Sequence, residues 1–292
     1  MHKLGILLSA LLFGALPPAA HAQTMGPSEP GVLKVGFIPA EDSRAMVRQS
    51  QAVMDRLGAA TGLKVEAFVG SDYNATIEAL RSNKIEVALL GPFSYVLATT
   101  QAPVEAFAVT VTAKTMSPSY HSIIIAKKDS GLTSLDSLKG HTFAFVDPGS
   151  TSGSLMPSAA MREKNIVPEK DLKKVMYSGG HDASIIAVAE GKVEAASVAD
   201  RIFAGACDKK LVDCDKIKII WTSEAIPNDP VLYRKNLPED LKKKIREAFY
   251  GIQNLTFGEM GTVARFDPAT DADYNIIRKI ATILNLDLTK VK

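Results

Sequence analysis

The stretch Asp147-Pro148-Gly149-Ser150-Thr151-Ser152-Gly153-Ser154-Leu155-Met156 lies near the middle of the chain. It follows the apolar residues 142–146 and precedes residues 155–164, which have helical character, so it predicts a strand, a turn and the start of a helix. The first NH groups of a helix lack partners within it, and three consecutive hydroxyl residues beside them form a donor cluster that suits an oxyanion. Ordinary helix capping explains the same residues, because Ser and Thr are preferred caps.

The start of the chain predicts an export signal. Met1-His2-Lys3 is a short basic start, residues 4–16 are apolar, and Ala20-His21-Ala22 is a small-x-small cleavage site. The apolar run is too short to span a bilayer, and no cysteine follows the cleavage site to carry a lipid. We therefore expect residues 1–22 to be a signal peptide and the mature protein to be soluble in the periplasm.

The overall charge excludes one class of partner. The chain has 34 Lys and Arg against 32 Asp and Glu, a net charge of +2, so no global field attracts nucleic acid. A bound anion must be captured by local groups instead.

The two cysteines, Cys207 and Cys214, lie close together in a chain destined for an oxidising compartment. This arrangement predicts a disulfide that closes a small surface loop. A zinc site is disfavoured, because two thiols do not complete a tetrahedral shell and no His stands at ligand spacing.

Predicted strands alternate with predicted helices in two successive series. This alternation indicates an α/β fold of βαβ units, in which ligands bind at the carboxyl ends of the strands. In the first series we expect a helix capped by Ser43, with its apolar positions between residues 46 and 57. Residues 216–221 predict a strand that carries the chain back, and residues 223–233, with two prolines, predict a loop.

Five further residues at strand ends or turns could join the hydroxyl cluster. Tyr and His side chains offer donors to an oxyanion, and a His beside a bound anion is held cationic more readily. Each residue also has an ordinary explanation as a packed aromatic, a satisfied polar group or a cap. The hypothesis of an oxyanion site therefore depends on the placement of all five residues together. The five are Tyr73, Tyr120, His181, Asp200 and Asp229.

Enzymatic interpretations fit the sequence less well. The run from Gly149 to Gly153 has Thr151 where a G-x-S-x-G elbow needs a nucleophilic Ser, and His181 and Asp182 are sequence neighbours, a poor guide to a relay. No Lys follows the glycine and hydroxyl residues as in a P-loop, and no metal-ligand spacing stands out. We therefore expect neither catalysis nor a cofactor.

Together these motifs resemble the phosphonate and phosphite periplasmic binding proteins, the substrate-capture components of ABC importers. The match runs over nearly the whole mature chain, and the Ser-Thr-Ser-Gly and Gly-His pieces are its most specific parts. The matching motifs are Ile38-Pro39-Ala40-Glu41-Asp42, Ser71-Asp72-Tyr73, Leu90-Gly91-Pro92-Phe93-Ser94-Tyr95, Asp147-Pro148-Gly149-Ser150-Thr151-Ser152-Gly153, Gly180-His181-Asp182 and Ile226-Pro227-Asn228-Asp229-Pro230.

The resemblance implies a two-lobed, hinge-closing receptor of the type II periplasmic binding fold. Lobe 1 would comprise residues 23–113 and 222–292, and lobe 2 residues 114–221. Each lobe is expected to be a mixed, mostly parallel sheet flanked by helices, with the ligand in the cleft between the lobes.

The resemblance also implies roles for the candidate residues. Ser150, Thr151 and Ser152 would bind the phosphonate oxygens through hydroxyl and backbone NH groups, helped by His181, Tyr73 and Tyr120.

Two positions bear on whether the ligand carries an amino group. Asp229 matches a carboxylate that receives the ligand's amine in aminoalkylphosphonate binders. A second acidic position of those binders falls on Arg201, with Asp200 beside it, and this departure leaves phosphite or a small alkylphosphonate open.

We accordingly expect a monomer that binds a small phosphorus oxyanion and delivers it to an inner-membrane ABC permease. A sensor of the same fold, signalling to a membrane kinase, is the first alternative. An exported hydrolase is the second.

Overall fold

The computed structural model describes residues 25–291, and the predicted signal peptide lies outside them. This range contains fourteen β-strands and ten α-helices. The strands are β1 (Val32–Phe37), β2 (Lys64–Val69), β3 (Val87–Leu89), β4 (Val104–Thr112), β5 (Ser119–Tyr120), β6 (Ser122–Lys127), β7 (Thr142–Phe145), β8 (Lys174–Tyr177), β9 (Ala195–Ala199), β10 (Ile217–Thr222), β11 (Ile226–Pro227), β12 (Pro230–Arg234), β13 (Gln253–Thr256) and β14 (Thr262–Pro268). The helices are α1 (Ser43–Gln49), α2 (Gln51–Thr61), α3 (Tyr73–Arg81), α4 (Pro92–Gln101), α5 (Met156–Glu163), α6 (Pro168–Asp171), α7 (His181–Ala189), α8 (Asp200–Asp208), α9 (Glu239–Tyr250) and α10 (Asn275–Ile283).

The larger sheet has seven strands in the order β13–β14–β4–β12–β3–β1–β2. Strand β1 is apolar and almost wholly buried, as a strand covered on both faces must be. Its alternate side chains Leu33, Val35 and Phe37 pack with α2 and α9 on one face. Helices α3 and α4 pack in a second cluster on the other face. The parallel strands β2, β1 and β3 thus form the βαβ units that the sequence predicts.

The smaller sheet has five strands in the order β10–β6–β9–β7–β8. The expected mixed α/β architecture is present, but the parallel share of the sheets is smaller than predicted. Six of the ten strand pairs in the two large sheets are antiparallel, against four parallel pairs. Strands such as β6 and β12 follow segments that cross between the sheets, so they are not bound by the parallel geometry of a βαβ unit.

The chain leaves the larger sheet after β4 and returns to it at β12. The two crossing segments pair with each other as the short antiparallel ribbon β5–β11, in which Tyr120 lies opposite Ile226. This ribbon joins the two sheets.

The prediction of a loop over residues 223–233 is wrong. Residues Pro230–Arg234 form β12, a fully buried strand between β3 and β4. Its proline stands at the first position of the strand, where the missing NH group does not interrupt the ladder.

The single helix predicted from Ser43 is divided into α1 and α2. Asp42, rather than Ser43, caps it, since the Asp42 carboxylate accepts the NH of Ala45 at 2.7 Å. The division falls at Ser50, whose hydroxyl donates to the carbonyl of Met46 at 2.8 Å and accepts the NH of Gly258 at 2.8 Å. A buried serine that bonds to the preceding turn in this way competes with continuous helix.

The predicted disulfide between Cys207 and Cys214 is present and ties the end of α8 to the following loop. None of the helices within residues 25–291 combines the length and hydropathy needed to cross a bilayer.

Candidate functional site

The turn after β7 presents the three consecutive hydroxyl residues. The NH of Ser150 donates to the carbonyl of Asp147 at 2.9 Å, and the Asp147 carboxylate accepts the NH of Gly149 at 2.7 Å. Residues Thr151–Leu155 then form one wide, π-type turn that continues directly into α5. The stretch is therefore a strand, a turn and a helix start, as the sequence predicts.

Glycine is required within this turn. A Cβ atom on Gly153 would lie 2.4 Å from a methyl group of Val146, closer than two carbon atoms can approach. The turn is thereby held against the end of the strand that precedes it.

The hydroxyl groups of Ser150 and Thr151 keep their protons available. Ser150 Oγ accepts the NH of Gly153 at 3.1 Å, and Thr151 Oγ1 accepts the NH of Phe93 at 2.8 Å. Because each oxygen is already an acceptor, its own proton can be donated elsewhere. Both residues are about 2% exposed, so that donation must be directed into the interior.

A small cavity between the two sheets receives these groups. Its empty volume is about 230 Å³, of which about 10 Å³ admits the centre of a water molecule. That is about the room that one water molecule needs, so the side chains around the cavity nearly fill it in this conformation. Its lining residues are Ile38, Ala40, Tyr73, Gly91, Tyr120, Ser150, Thr151, Ser152, His181, Arg201, Ile202, Asp229 and Glu259.

Two tyrosines contribute phenols to the cavity wall. Tyr73 is the first residue of α3, and its hydroxyl finds no hydrogen-bond partner among the described residues. Tyr120 lies in β5, where the chain crosses between the sheets. Burial, reinforced by nearby carboxylates, raises the pKa of both phenols, so each stays a neutral donor.

His181 is the first residue of α7 and enters the cavity as a neutral ring. Its Nδ1 atom accepts the backbone NH of Ala199 at 3.1 Å, so the proton of the neutral ring is on Nε2. Burial, with a smaller contribution from the charge of Arg201, lowers the pKa of His181 to about 3. The residue therefore presents a neutral N–H donor, and its charge beside a bound anion stays a prediction.

Arg201 and Asp229 form an ion pair at another side of the cavity. Arg201 Nη2 donates to Asp229 Oδ2 at 2.8 Å, and the side chains are 13% and 2% exposed. The guanidinium also stacks on the ring of Tyr120, with its central carbon 4.3 Å from the ring centre. Arg201 is thus held by a charge on one side and an aromatic face on the other.

Glu259 completes the polar wall. Burial, together with the nearby Asp229 carboxylate, raises the pKa of Glu259 well above its usual range. Neither of its carboxyl oxygens has a hydrogen-bond partner within residues 25–291. Burial and the Asp229 carboxylate both favour the protonated form of Glu259, because a second buried negative charge there is disfavoured.

The structure brings seven of the eight predicted site residues together and separates one. Asp200 lies outside the cavity, where Oδ2 is 3.1 Å from Nδ1 of the half-exposed His121 and Oδ1 accepts the NH of Arg201. As the first residue of α8, Asp200 points away from the cavity side of the helix, and its neighbour Arg201 takes the inward position.

Glu259 is the residue that sequence reasoning missed. It lies in the short turn Gly258–Met260 between β13 and β14, two strands that were not predicted either. No local motif marks it, and only the return of the chain through the larger sheet brings it to Asp229.

A two-lobed α/β fold with mixed sheets, flanking helices and a crossing ribbon is that of the type II periplasmic binding proteins. A solved structure with this fold is the binding protein component of an ABC phosphonate transporter from Pseudomonas aeruginosa. It superimposes with a TM-score of 0.79 at 28% identity, covering 87% of this chain and 86% of that chain.

Sequence comparisons identify the family within this class. The family of ABC transporter phosphonate periplasmic substrate-binding proteins matches residues 35–274. The phosphonates-binding periplasmic protein of Escherichia coli (strain K12) is 34% identical over 238 residues, which cover 79% of this chain and 68% of that protein. The phosphate-import protein PhnD of Mycolicibacterium smegmatis is 28% identical over 287 residues, covering 89% of this chain and 88% of that protein.

The chain therefore belongs to the phosphonate periplasmic substrate-binding proteins of ABC transporters. The resemblance inferred from the motifs is confirmed, and with it the transport class of the protein.

Proposed function

We propose that the protein captures a phosphonate or phosphite in the cavity between its lobes and releases it unchanged to an inner-membrane permease. The observation that carries this proposal is the convergence of donors with available protons on one small, enclosed cavity. They are the hydroxyls of Ser150, Thr151 and Tyr73 and the Nε2–H of His181.

The charge balance of the cavity favours an anion. Arg201 and Asp229 compensate each other, and burial favours the neutral forms of Glu259 and His181. The remaining groups are mostly donors, which stabilise negative charge without requiring a cluster of cations. Micromolar binding corresponds to roughly 8 kcal/mol, which several hydrogen bonds to a charged ligand can supply after the costs of ordering.

An amine-bearing ligand fits this balance poorly. Asp229, which the family resemblance associates with an amine, is paired with Arg201, and Asp200 lies outside the cavity. Phosphite and small alkylphosphonates are therefore the favoured ligands. The name of the mycobacterial relative adds phosphate to the candidates that must be compared.

The same geometry argues against hydrolysis. His181 Nδ1 accepts a backbone NH and Nε2 carries the proton, so the ring cannot take a proton from a hydroxyl nucleophile. We infer that the cavity holds its ligand without reacting with it.

Sheet membership supports the proposed lobe boundaries. All strands of the smaller sheet lie between residues 122 and 222, within or at the edge of the proposed lobe 2, residues 114–221. The segments 23–113 and 222–292 would form lobe 1. We propose that the protein acts as a monomer, with the permease as its protein partner.

Calorimetric titration of the purified mature protein tests the ligand class. Phosphite, methylphosphonate, phosphate, 2-aminoethylphosphonate and sulfate are compared with wild type, Thr151→Val and the conservative Thr151→Ser. Thr151→Val removes, at nearly constant volume, both the donated proton and the acceptor of the Phe93 NH. It should weaken binding of the preferred anion by about 10- to 100-fold, the value of one hydrogen bond to a charged group together with that contact.

Thr151→Ser keeps the hydroxyl and should bind within a few-fold of wild type. Failure of wild type to bind any of the phosphorus anions would overturn the proposed function. Equal binding by wild type and Thr151→Val would overturn the assignment of the cavity.

A further inference from the structure

Arg201 forms a wall between two spaces. On one side is the small cavity, and on the other is an open pocket with an empty volume of about 1,080 Å³. Arg201 and its stacking partner Tyr120 line both of them. The outer pocket also carries Asp200 and Asp208, and Lys114 pairs with Asp208 at 2.8 Å, so carboxylates and cations are mixed there.

Two nitrogen atoms of the Arg201 guanidinium could donate hydrogen bonds to a ligand. Nη2 donates to Asp229, whereas Nε and Nη1 are buried and have no partner from any described residue. A buried donor without an acceptor is unfavourable, so a ligand oxygen that reaches these atoms gains binding energy. A ligand ammonium at the same place would instead meet a cation.

We propose that Arg201 determines the specificity of the cavity, restricting it to compact phosphorus oxyanions without an amino group. This inference rests on the proposed function and adds the residue that selects among phosphorus ligands. Arg201 acts in two ways. It occupies the space into which a longer substituent would extend, and it places a fixed positive charge where an amine would lie.

The neighbouring carboxyl groups do not offset this charge for a ligand amine. Asp229 is already paired with Arg201, and burial beside Asp229 favours the protonated form of Glu259. Like charges brought together at a desolvated site cost several kcal/mol, which corresponds to discrimination of about 100-fold or more.

Three ligands separate the effect of size from the effect of charge. Methylphosphonate is compact, n-propylphosphonate adds length without charge, and 2-aminoethylphosphonate has the length of n-propylphosphonate with an ammonium at its end. Calorimetry should show that wild type binds methylphosphonate tightest, n-propylphosphonate more weakly, and 2-aminoethylphosphonate about 100-fold more weakly than methylphosphonate.

Arg201→Glu removes the wall and supplies a carboxylate, so it should bind 2-aminoethylphosphonate more tightly than n-propylphosphonate. Arg201→Gln removes the charge without adding another and should reduce the wild-type discrimination against the amine about tenfold. If Arg201→Glu does not fold, the ligand discrimination of Arg201→Gln alone tests the role of Arg201. Arg48→Glu, the same substitution on the exposed face of α1, is the control and should leave the order of the three ligands unchanged.

The outcomes distinguish this inference from the proposed function. If wild type binds none of the three ligands, the proposed function fails and the inference fails with it. If wild type binds methylphosphonate and 2-aminoethylphosphonate equally, or if a folded Arg201→Gln keeps the full discrimination, only the role of Arg201 is overturned. A loss of discrimination in Arg48→Glu equal to that in Arg201→Glu would also overturn it.

Discussion

His181 illustrates how a single backbone contact decides the chemistry of a side chain. The NH of Ala199 donates to Nδ1, so Nε2 holds the proton and faces the cavity as a donor. A protonated ring would lose this hydrogen bond, because both nitrogen atoms would then be donors. Burial acts in the same direction, since it disfavours the charged form.

The lowered pKa of His181 makes stability depend on pH. The ordinary pKa of His in the unfolded chain is about 6.5, and the folded value is about 3, so between these values the unfolded state binds more protons. Stability is therefore complete above about pH 6.5 and falls as the pH decreases towards 3. At pH 4.5 the loss due to this one residue should be about 3 kcal/mol.

Urea denaturation of wild type and His181→Gln at pH 7.5 and pH 4.5 measures this effect. Wild type should lose about 3 kcal/mol more than His181→Gln between the two pH values, because the variant does not have this titrating ring. His121→Gln, which removes a half-exposed histidine, should behave as wild type does. An equal loss in wild type and His181→Gln would show that the folded ring ionises normally.

At the scale of elements, β12 has two tasks in the larger sheet. It returns the chain from the smaller sheet between β3 and β4, and its last residue, Arg234, is a fully buried cation. Arg234 pairs with the equally buried Glu86 at 3.2 Å. It also donates to the carbonyl of Ile85 and to the side chains of Asn83 and Asn236. The end of this central strand is therefore fixed by one network of charge-assisted hydrogen bonds.

Arg234→Met should destabilise the fold by about 3 kcal/mol, because it leaves the Glu86 carboxylate buried without its cation. Chemical denaturation at pH 7.5 measures the change. The matched control is Arg81→Met, which breaks an exposed pair with Glu78 and should cost less than about 1 kcal/mol. Similar losses in the two variants would contradict the buried-network interpretation.

For the whole molecule, the lobes meet through a few hydrogen bonds around the cavity. Thr151 Oγ1 accepts the NH of Phe93, Ser94 Oγ donates to the carbonyl of Gly149 at 2.9 Å, and the NH of His181 donates to the carbonyl of Ala40 at 2.8 Å. Each contact joins the larger-sheet side to the smaller-sheet side. Contacts that exist only in a closed arrangement raise the affinity for a ligand that is bound between the lobes.

Ser94→Ala tests this contribution without changing a residue that lines the cavity. Loss of one hydrogen bond of about 1 kcal/mol should shift the lobes towards an open arrangement and weaken binding of the preferred anion about fivefold. Calorimetry measures the affinity, and small-angle X-ray scattering of the ligand-free protein should show a larger radius of gyration.

Thr100→Ala on the same helix is the control for Ser94→Ala. The hydroxyl of Thr100 donates only to the carbonyl of Leu97 within α4, so its removal should leave both the affinity and the radius of gyration unchanged. Wild-type affinity in Ser94→Ala would show that this contact does not contribute to closure.

The class of the protein and the strand–turn–helix at residues 147–156 could both be predicted from the amino-acid sequence. Apolar runs, caps and turn residues are local signals, and the ordered motifs place the chain in its family. Seven of the predicted site residues do line one cavity. Five of them, Tyr73, Ser150, Thr151, Ser152 and His181, follow the carboxyl ends of strands in βα units, where ligands bind such sheets, and Tyr120 and Asp229 come from the segments that cross between the sheets.

The hydrogen-bond and ion-pair partners of these residues follow from the tertiary structure alone. Asp229 meets Arg201 across 28 positions of sequence, Glu259 reaches the same wall from the far end of the larger sheet, and the tautomer of His181 depends on an NH from β9. Such contacts depend on how separate segments pack, which no local pattern encodes. The hydroxyl cluster could therefore be predicted from the sequence, whereas the arrangement of charged groups around it could not.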